Sequence, residues 1–141
     1  MTAGEAGTKK RRLTRTQRRA ETAWSKVLAV RDRGRRGEPA DYKVLAKRFP
    51  ALLHGSGLCQ AVAFVQKKAQ DKAVFRTYLE DLAAVMGLDD RAALEEKSRR
   101  APLGSYLRLS REALEAATWL CRYSEALLPD DSAGSGGGDG P

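Results

Sequence analysis

The sequence of 141 residues is poor in the side chains that most often build metal and redox centres. It contains one histidine, His54, and two cysteines, Cys59 and Cys121, which form no CxxC pair. A tetrahedral zinc site draws its ligands from Cys and His at characteristic spacings, and these three residues do not supply such a set. We therefore predict no metal ion, no other cofactor and no structural disulfide.

Long apolar runs and phosphate-binding glycine motifs are also lacking. No stretch approaches the roughly 20 apolar residues that cross a bilayer, and the N-terminus lacks the apolar core of a secretory signal. Neither GxxxxGK[ST] nor GxGxxG occurs. His54 and Ser56 do not make a hydrolase triad without a nucleophile elbow. We expect a cytoplasmic protein that has no catalytic residues and no membrane partner.

Strand-like alternation is absent, and the interior is rich in the helix formers Ala, Leu, Arg, Lys and Glu. The pattern predicts an all-α protein, a compact single-domain bundle of five to six helices over residues 13–128. Residues 1–12 form a basic N-terminal arm, and residues 129–141 form a Gly-rich acidic tail. We expect both ends to be disordered because neither has apolar periodicity.

Several residues predict where the first three helices begin and end. Thr14 followed by Gln17 is typical of a capping box at the start of helix one. Phe49 precedes Pro50, which predicts a break or kink there, and the HGSG sequence at 54–57 predicts a turn.

The apolar positions of the third and last helices predict the core. Ala61, Val62 and Phe64 belong to a run dense enough that the third helix is expected to be buried on more than one side, at the centre of the core. On the last helix, we expect Trp119 and Leu120 to be buried and to pack against the third helix. Between these two elements, Gly87 is placed to end the fourth helix, and Asp89 or Asp90 to cap a short fifth one.

The net charge of +8 is unevenly distributed along the chain. The segment 9–79 has 19 basic and 5 acidic residues, whereas residues 80–141 have 7 basic and 12 acidic residues. Such a polarised chain suits a polyanion on one side and a protein neighbour on the other. A solvated charged surface that keeps a small protein soluble accounts for the asymmetry equally well.

The basic residues are the candidate nucleic-acid contacts. The run KKRRLTRTQRR at 9–19 has no interleaved aromatic residue, so it suits phosphate contact and not base stacking, although localisation signals look similar. A second basic set follows on helices two to four, and the last helix adds two arginines. The candidate RNA-binding residues are Arg15, Arg18, Arg19, Lys26, Lys43, Lys47, Arg48, Lys67, Lys68, Lys72, Arg111 and Arg122.

Two segments carry a family resemblance. They are YKVLAKRFPALLHGSGLCQAVAFVQKKA at 42–69 and SYLRLSREALEAATWLCRYSEALL at 105–128. Their most specific elements are a basic pair before Phe-Pro, a Gly-Leu-x-x-Ala-x-x-Phe helix start and a closing Tyr-Leu-Arg segment with Trp-Leu. From about residue 14 to 128, the chain resembles the small helical subunit of the type III-B CRISPR effector, the Cmr complex.

The resemblance implies an all-helical, non-catalytic subunit that stacks with copies of itself along a filament of guide RNA and target RNA. The implied partners are those RNAs and the other subunits of the Cmr complex, which perform the cleavage. Cys59 stands where the family usually has Gly or another small residue, and both tails lie outside the pattern.

Two other functions remain open at this point. One is a structural adaptor whose basic faces meet acidic faces of protein neighbours without touching RNA. The other is a stand-alone DNA-binding regulator that uses the helices around HGSG as a helix-turn-helix. Against the regulator, the helix after that turn carries core residues such as Leu58 and Val62, which do not suit a major groove.

Overall fold

Six α-helices and no β-strand make up the part of the chain, residues 12–130, that the computed structural model describes. The helices are α1 (Arg15–Arg33), α2 (Glu38–Ser56), α3 (Leu58–Ala69), α4 (Ala73–Met86), α5 (Arg91–Arg100) and α6 (Leu103–Leu127). The predicted all-α bundle of five to six helices is confirmed. The predicted arm and tail lie outside the described residues, apart from Arg12, Pro129 and Asp130.

Helix α4 lies at the centre of the bundle. It contacts each of the other five helices, and eight of its 14 residues are buried. Tyr78, Leu79 and Leu82 are fully enclosed. A helix that is apolar on nearly all sides belongs in a protein interior, so α4 is the element around which the others pack.

The prediction that the third helix forms the centre of the core is wrong. On α3 only one face is buried, and Phe64 is 41% exposed. A rotation of about 100° per residue places Phe64 roughly 110° from the middle of the buried face. The apolar density of this helix therefore did not mean burial on several sides.

Of the predicted break or kink near Phe49–Pro50, the break is wrong and a kink stays a prediction; the predicted HGSG turn is wrong in its extent. Helix α2 runs uninterrupted from Glu38 to Ser56 with Pro50 inside it. Phe49 and Leu53 are both buried, so packing holds the helix on each side of the proline. The turn is reduced to Gly57, whose φ of 85° lies in the left-handed region that favours glycine.

The predicted helix ends are confirmed at three places. The Thr14 hydroxyl accepts from the Gln17 backbone N–H while the Gln17 side chain accepts from that of Thr14, which completes the capping box. Asp90 accepts from the N–H of Ala93 at 2.8 Å and so caps α5. Gly87 ends α4 with φ 86°. These local signals determine helix ends because each satisfies backbone groups that the helix leaves unpaired.

The last helix packs differently from the expectation. Helix α6 lies mainly against α1 and α2, not α3. Leu120 is buried as predicted, but Trp119 is only half-buried, and its ring centroid lies 5.5 Å from that of Tyr123. The small residues Ala113, Ala116 and Ala117 line the buried face of α6, so the helix approaches its neighbours closely without needing the indole.

A buried polar pair joins α2 to α4. The Tyr42 hydroxyl donates to Asp81 Oδ2 at 2.7 Å, and both side chains lie inside the bundle. Burial raises the pKa of Asp81 to about 7, against an ordinary value of 3.8, although the Tyr42 hydroxyl and the nearby Lys26 act in the opposite direction. Between about pH 4 and pH 7, Asp81 is therefore mostly protonated in the folded state and mostly ionised in the unfolded chain.

This pair predicts how stability depends on pH. Because folding raises the pKa of Asp81, protonation of this residue contributes to the free energy of unfolding. That contribution is fully present below about pH 4 and is lost as the pH rises through 7. Asp81→Asn keeps an oxygen that can accept from Tyr42 but carries no titrating proton. We expect the variant to gain stability relative to the parent as the pH rises, by a few kcal/mol at most, since each tenfold change in acidity corresponds to about 1.4 kcal/mol.

Denaturant unfolding of both proteins between pH 5 and 8 measures this difference. Asp71→Asn, at an exposed carboxylate, is the control and should follow the parent at every pH. Parallel curves for Asp81→Asn and the parent would contradict the raised pKa.

Candidate nucleic-acid interface

The structure separates the twelve candidate basic residues into those held by the protein and those directed to solvent. Charge and sequence spacing gave no basis for this separation. The division decides which side chains are available to a phosphate backbone, since a cation already paired with a carboxylate offers less to an anion.

Arg19 belongs to the fold. It is buried, and its guanidinium pairs with Glu115 and lies 4.0 Å from Glu112 on α6. The ion pair thereby joins α1 to α6. Its neighbours Arg15 and Arg18 are exposed; with Arg19 they line a cleft of about 300 Å³, and Arg18 donates to the Leu13 carbonyl at 2.8 Å.

Lys43 and Lys72 are engaged as well. Lys43 Nζ donates to the Leu128 carbonyl at 3.0 Å and pairs with Asp130 at 2.8 Å, so it holds the end of α6 against α2. Hydrogen bonding to Lys43 lowers the pKa of Asp130. Lys72 pairs with Asp41 at 3.1 Å in a more exposed position. Lys43 therefore has a structural role, and Lys72 is partly neutralised.

Three further candidates are Lys26 on α1 and Arg111 and Arg122 on α6. Lys26 is half-buried beside a cavity of about 250 Å³ that Asp81 also lines. Arg111 and Arg122 are exposed on α6, and the Arg122 guanidinium lies 5.6 Å from the centre of the Trp119 ring.

Three candidate residues come together in one groove, which we call the basic groove. Its volume is about 560 Å³, and it opens between α2, α3 and the start of α4. The lining residues are Val44, Leu45, Lys47, Arg48, Ala51, Leu52, Ser56, Phe64, Lys68 and Phe75. Lys47, Arg48 and Lys68 are exposed, and none forms an ion pair with a described residue. Lys67 is exposed next to the groove on α3.

The aromatic part of this groove was missed by the sequence reasoning. Lys68 Nζ lies 5.2 Å from the centre of the Phe64 ring and 5.9 Å from that of Phe75. Phe64 and Lys68 are one helical turn apart, which is a signal that the sequence did contain. Phe75 belongs to the next helix, so its proximity depends on how α3 and α4 pack.

Two further properties concern the described residues, 12–130. Within this range no cluster of three or more His, Cys, Asp or Glu side chains is arranged to hold a metal ion. None of its helices is both long and apolar enough to cross a lipid bilayer.

Comparison with known proteins places this helical bundle with its exposed cations in a CRISPR-associated family. The family model for the CRISPR-associated protein Cas_Cmr5 matches residues 15–127. The chain belongs to the Cmr5 family.

Both the curated relative and the solved structure to which this chain is similar come from Thermus thermophilus. The CRISPR system Cmr subunit Cmr5 is 39% identical over 117 residues, which cover 83% of this chain and 98% of that protein. The X-ray crystal structure of a CRISPR-associated Cmr5 family protein superposes with a TM-score of 0.75 at 38% identity, and covers 83% of this chain and 100% of the other.

The different environments of Arg19 and Arg15 predict different effects on stability. Arg19→Ala removes a charge-assisted pair of which only the arginine is buried, together with the buried apolar stem of that arginine, which should cost about 1–3 kcal/mol. Arg15→Ala, at an exposed position four residues away, should change stability by less than about 0.5 kcal/mol. Denaturant unfolding of both variants measures the difference. If Arg19→Ala unfolds together with Arg15→Ala, Arg19 is not held by the fold and is available to RNA.

Proposed function

We propose that this chain is a non-catalytic small subunit of a type III-B CRISPR effector, the Cmr complex. In this proposal, copies stack side by side along the filament of guide RNA and bound target RNA, and they contact the RNA backbone through basic residues. The other Cmr subunits and both RNAs are its partners. Membership of the Cmr5 family is consistent with this role, and the basic groove is the observation that carries the RNA contact.

The charges of the basic groove support backbone contact. All three of its ionisable residues, Lys47, Arg48 and Lys68, are cations. Lys67 adds a fourth beside it, and Arg15 and Arg111 are further exposed cations without an ion pair among the described residues. In an RNA-guided system, base pairing supplies the sequence, so the protein needs only shape and charge. Lysine and arginine side chains that contact phosphates meet that need.

Exposed leucines on α6 support stacking against a protein neighbour. Leu103, Leu107 and Leu114 are 74%, 51% and 41% exposed. They recur along the helix at intervals of four and seven residues, so they lie on one side of it. An aligned row of exposed leucines is typical of a protein interface. This surface and the basic groove suit two different kinds of partner.

The adaptor without RNA contact rests on this same leucine row and remains the second candidate. The stand-alone helix-turn-helix regulator has less support. Such a motif joins its two helices through a turn of three or four residues, whereas Gly57 alone separates α2 from α3.

Salt dependence of RNA binding tests the proposal. Each chain offers few phosphate contacts, so we expect weak, sequence-independent binding that strengthens greatly when copies align. Three to five contacts to a single strand predict a log–log salt slope of about −2 to −3.5, and the pair Lys47→Ala and Arg48→Ala should flatten it by about 1.4. The measurement is RNA affinity over a salt series, for the free chain and for the reconstituted complex.

The matched control replaces Arg35 and Arg36, an adjacent exposed pair in the turn between α1 and α2. This double variant loses the same charge outside the candidate residues, so its slope should stay near that of the parent. If the Lys47 and Arg48 variant keeps the parent slope but fails to assemble, this basic pair meets protein, and the adaptor function replaces RNA contact.

A further inference from the structure

Phe64 is exposed although the fold gives no structural reason for it. Phe75, which also lines the basic groove, packs against the core, whereas Phe64 does not. Phe64 as a whole residue is 41% exposed. Leaving a large aromatic side chain in water forgoes stabilisation that burial would give. The exposure of an aromatic ring in a groove with three cations is therefore better explained by binding of a ligand in that groove than by packing of the core.

The walls of the groove combine apolar area with positive charge. Val44, which is 45% exposed, and Leu52 add aliphatic surface. Lys68 Nζ lies over the Phe64 ring, 5.2 Å from its centre, and 5.9 Å from the centre of the Phe75 ring. A ligand that fits these walls must have flat or apolar parts and carry negative charge close to them.

A nucleic-acid strand fits this description better than a protein segment. Three of the ten lining residues are cations and none is acidic. The centres of protein–protein interfaces are depleted in charged residues, and in lysine particularly. Proteins that hold single strands combine a positive groove along the backbone with aromatic rings on which bases stack. The volume of about 560 Å³ also exceeds what a phosphate alone requires.

We propose that an unpaired RNA base stacks on Phe64 in the basic groove, while Lys47, Arg48 and Lys68 contact the phosphates next to it. This inference rests on the proposed RNA contact and deepens it, because it specifies a single-stranded segment with an accessible base. A duplex keeps its bases stacked inside, so it can offer this groove only phosphates.

The stacking contact has a different dependence on salt from the phosphate contacts. Counterion release depends on the number of neutralised phosphates, so the loss of an uncharged ring leaves the slope unchanged. Every base has a flat face, so the contact tolerates any sequence. Phe64 therefore contributes affinity for unpaired RNA without specificity and without salt dependence.

The test compares Phe64 variants of the full chain on three oligonucleotides of equal length. They are a single-stranded RNA, the same backbone without bases, and an RNA duplex. For Phe64→Ala we expect single-strand affinity to fall about 5- to 100-fold, the range of one stacked base, at an unchanged salt slope. Duplex and abasic affinities should not change. Phe64→Trp should keep the parent affinity, and Phe64→Leu, apolar without a π face, should fall between Trp and Ala.

Two controls separate stacking from other effects. Trp24→Ala removes a comparably exposed aromatic side chain on α1, outside the basic groove, and should leave RNA affinity unchanged. A single 2-aminopurine in the strand reports stacking directly, because its fluorescence is quenched when it stacks. We expect quenching with the parent and with Phe64→Trp, but not with Phe64→Ala.

Each contrary result has a distinct meaning. Equal binding of abasic and normal strands by the parent, or unchanged single-strand binding by Phe64→Ala, overturns the stacking contact while backbone contact remains. Loss of complex assembly by Phe64→Ala with unchanged RNA affinity overturns it too and assigns the groove to a protein. No RNA binding by the parent, free or assembled, overturns both proposals.

Discussion

The enclosure of α4 by the other five helices is the constraint on which the rest of the structure depends. A small domain has few ways to bury enough apolar surface, and one helix surrounded by neighbours is an efficient solution. Tyr78, Leu79 and Leu82 fill that interior. The hydrogen bond from Tyr42 to Asp81 places a polar pair in the same region. Because an unpaired polar group is costly there, the pair also specifies how α2 lies on α4.

The surface follows from this packing. Helices α2 and α3 both lie against α4, and the space left between them at the start of α4 becomes the basic groove. Lys47 and Arg48 come from α2, Phe64 and Lys68 from α3, and Phe75 from α4. No short sequence motif contains all five residues. The groove is thus a consequence of core packing, and the candidate RNA surface depends on residues that never touch RNA.

Helix ends that depend on the local backbone were predictable from the sequence, whereas features that depend on how the helices pack were not. The capping box at Thr14 and the helix end at Gly87 were correct because each depends on neighbouring backbone alone. The predicted break at Pro50 was wrong because packing on both sides of the proline outweighs its helix-breaking tendency. Phe64 was predicted to be buried because it is apolar. Its angular position on α3, however, lies outside the buried face of that helix. The predicted burial of Trp119 was wrong for a similar reason, because alanines form the close contact on the buried face of α6.

The availability of the charged residues in the candidate site was likewise not predictable from the sequence. Arg19 and Lys47 are both cations in a basic stretch of the chain, yet one pairs with carboxylates on α6 and the other is directed to solvent. A sequence reports how many cations exist, whereas the availability of each depends on which acidic residues the fold brings to it. The family resemblance implied an RNA partner, but it did not distinguish cations that support the fold from those that are exposed to solvent. That distinction requires the three-dimensional arrangement, which brings Lys47, Arg48 and Lys68 to one groove and is the reason why the proposed RNA contact is centred on them.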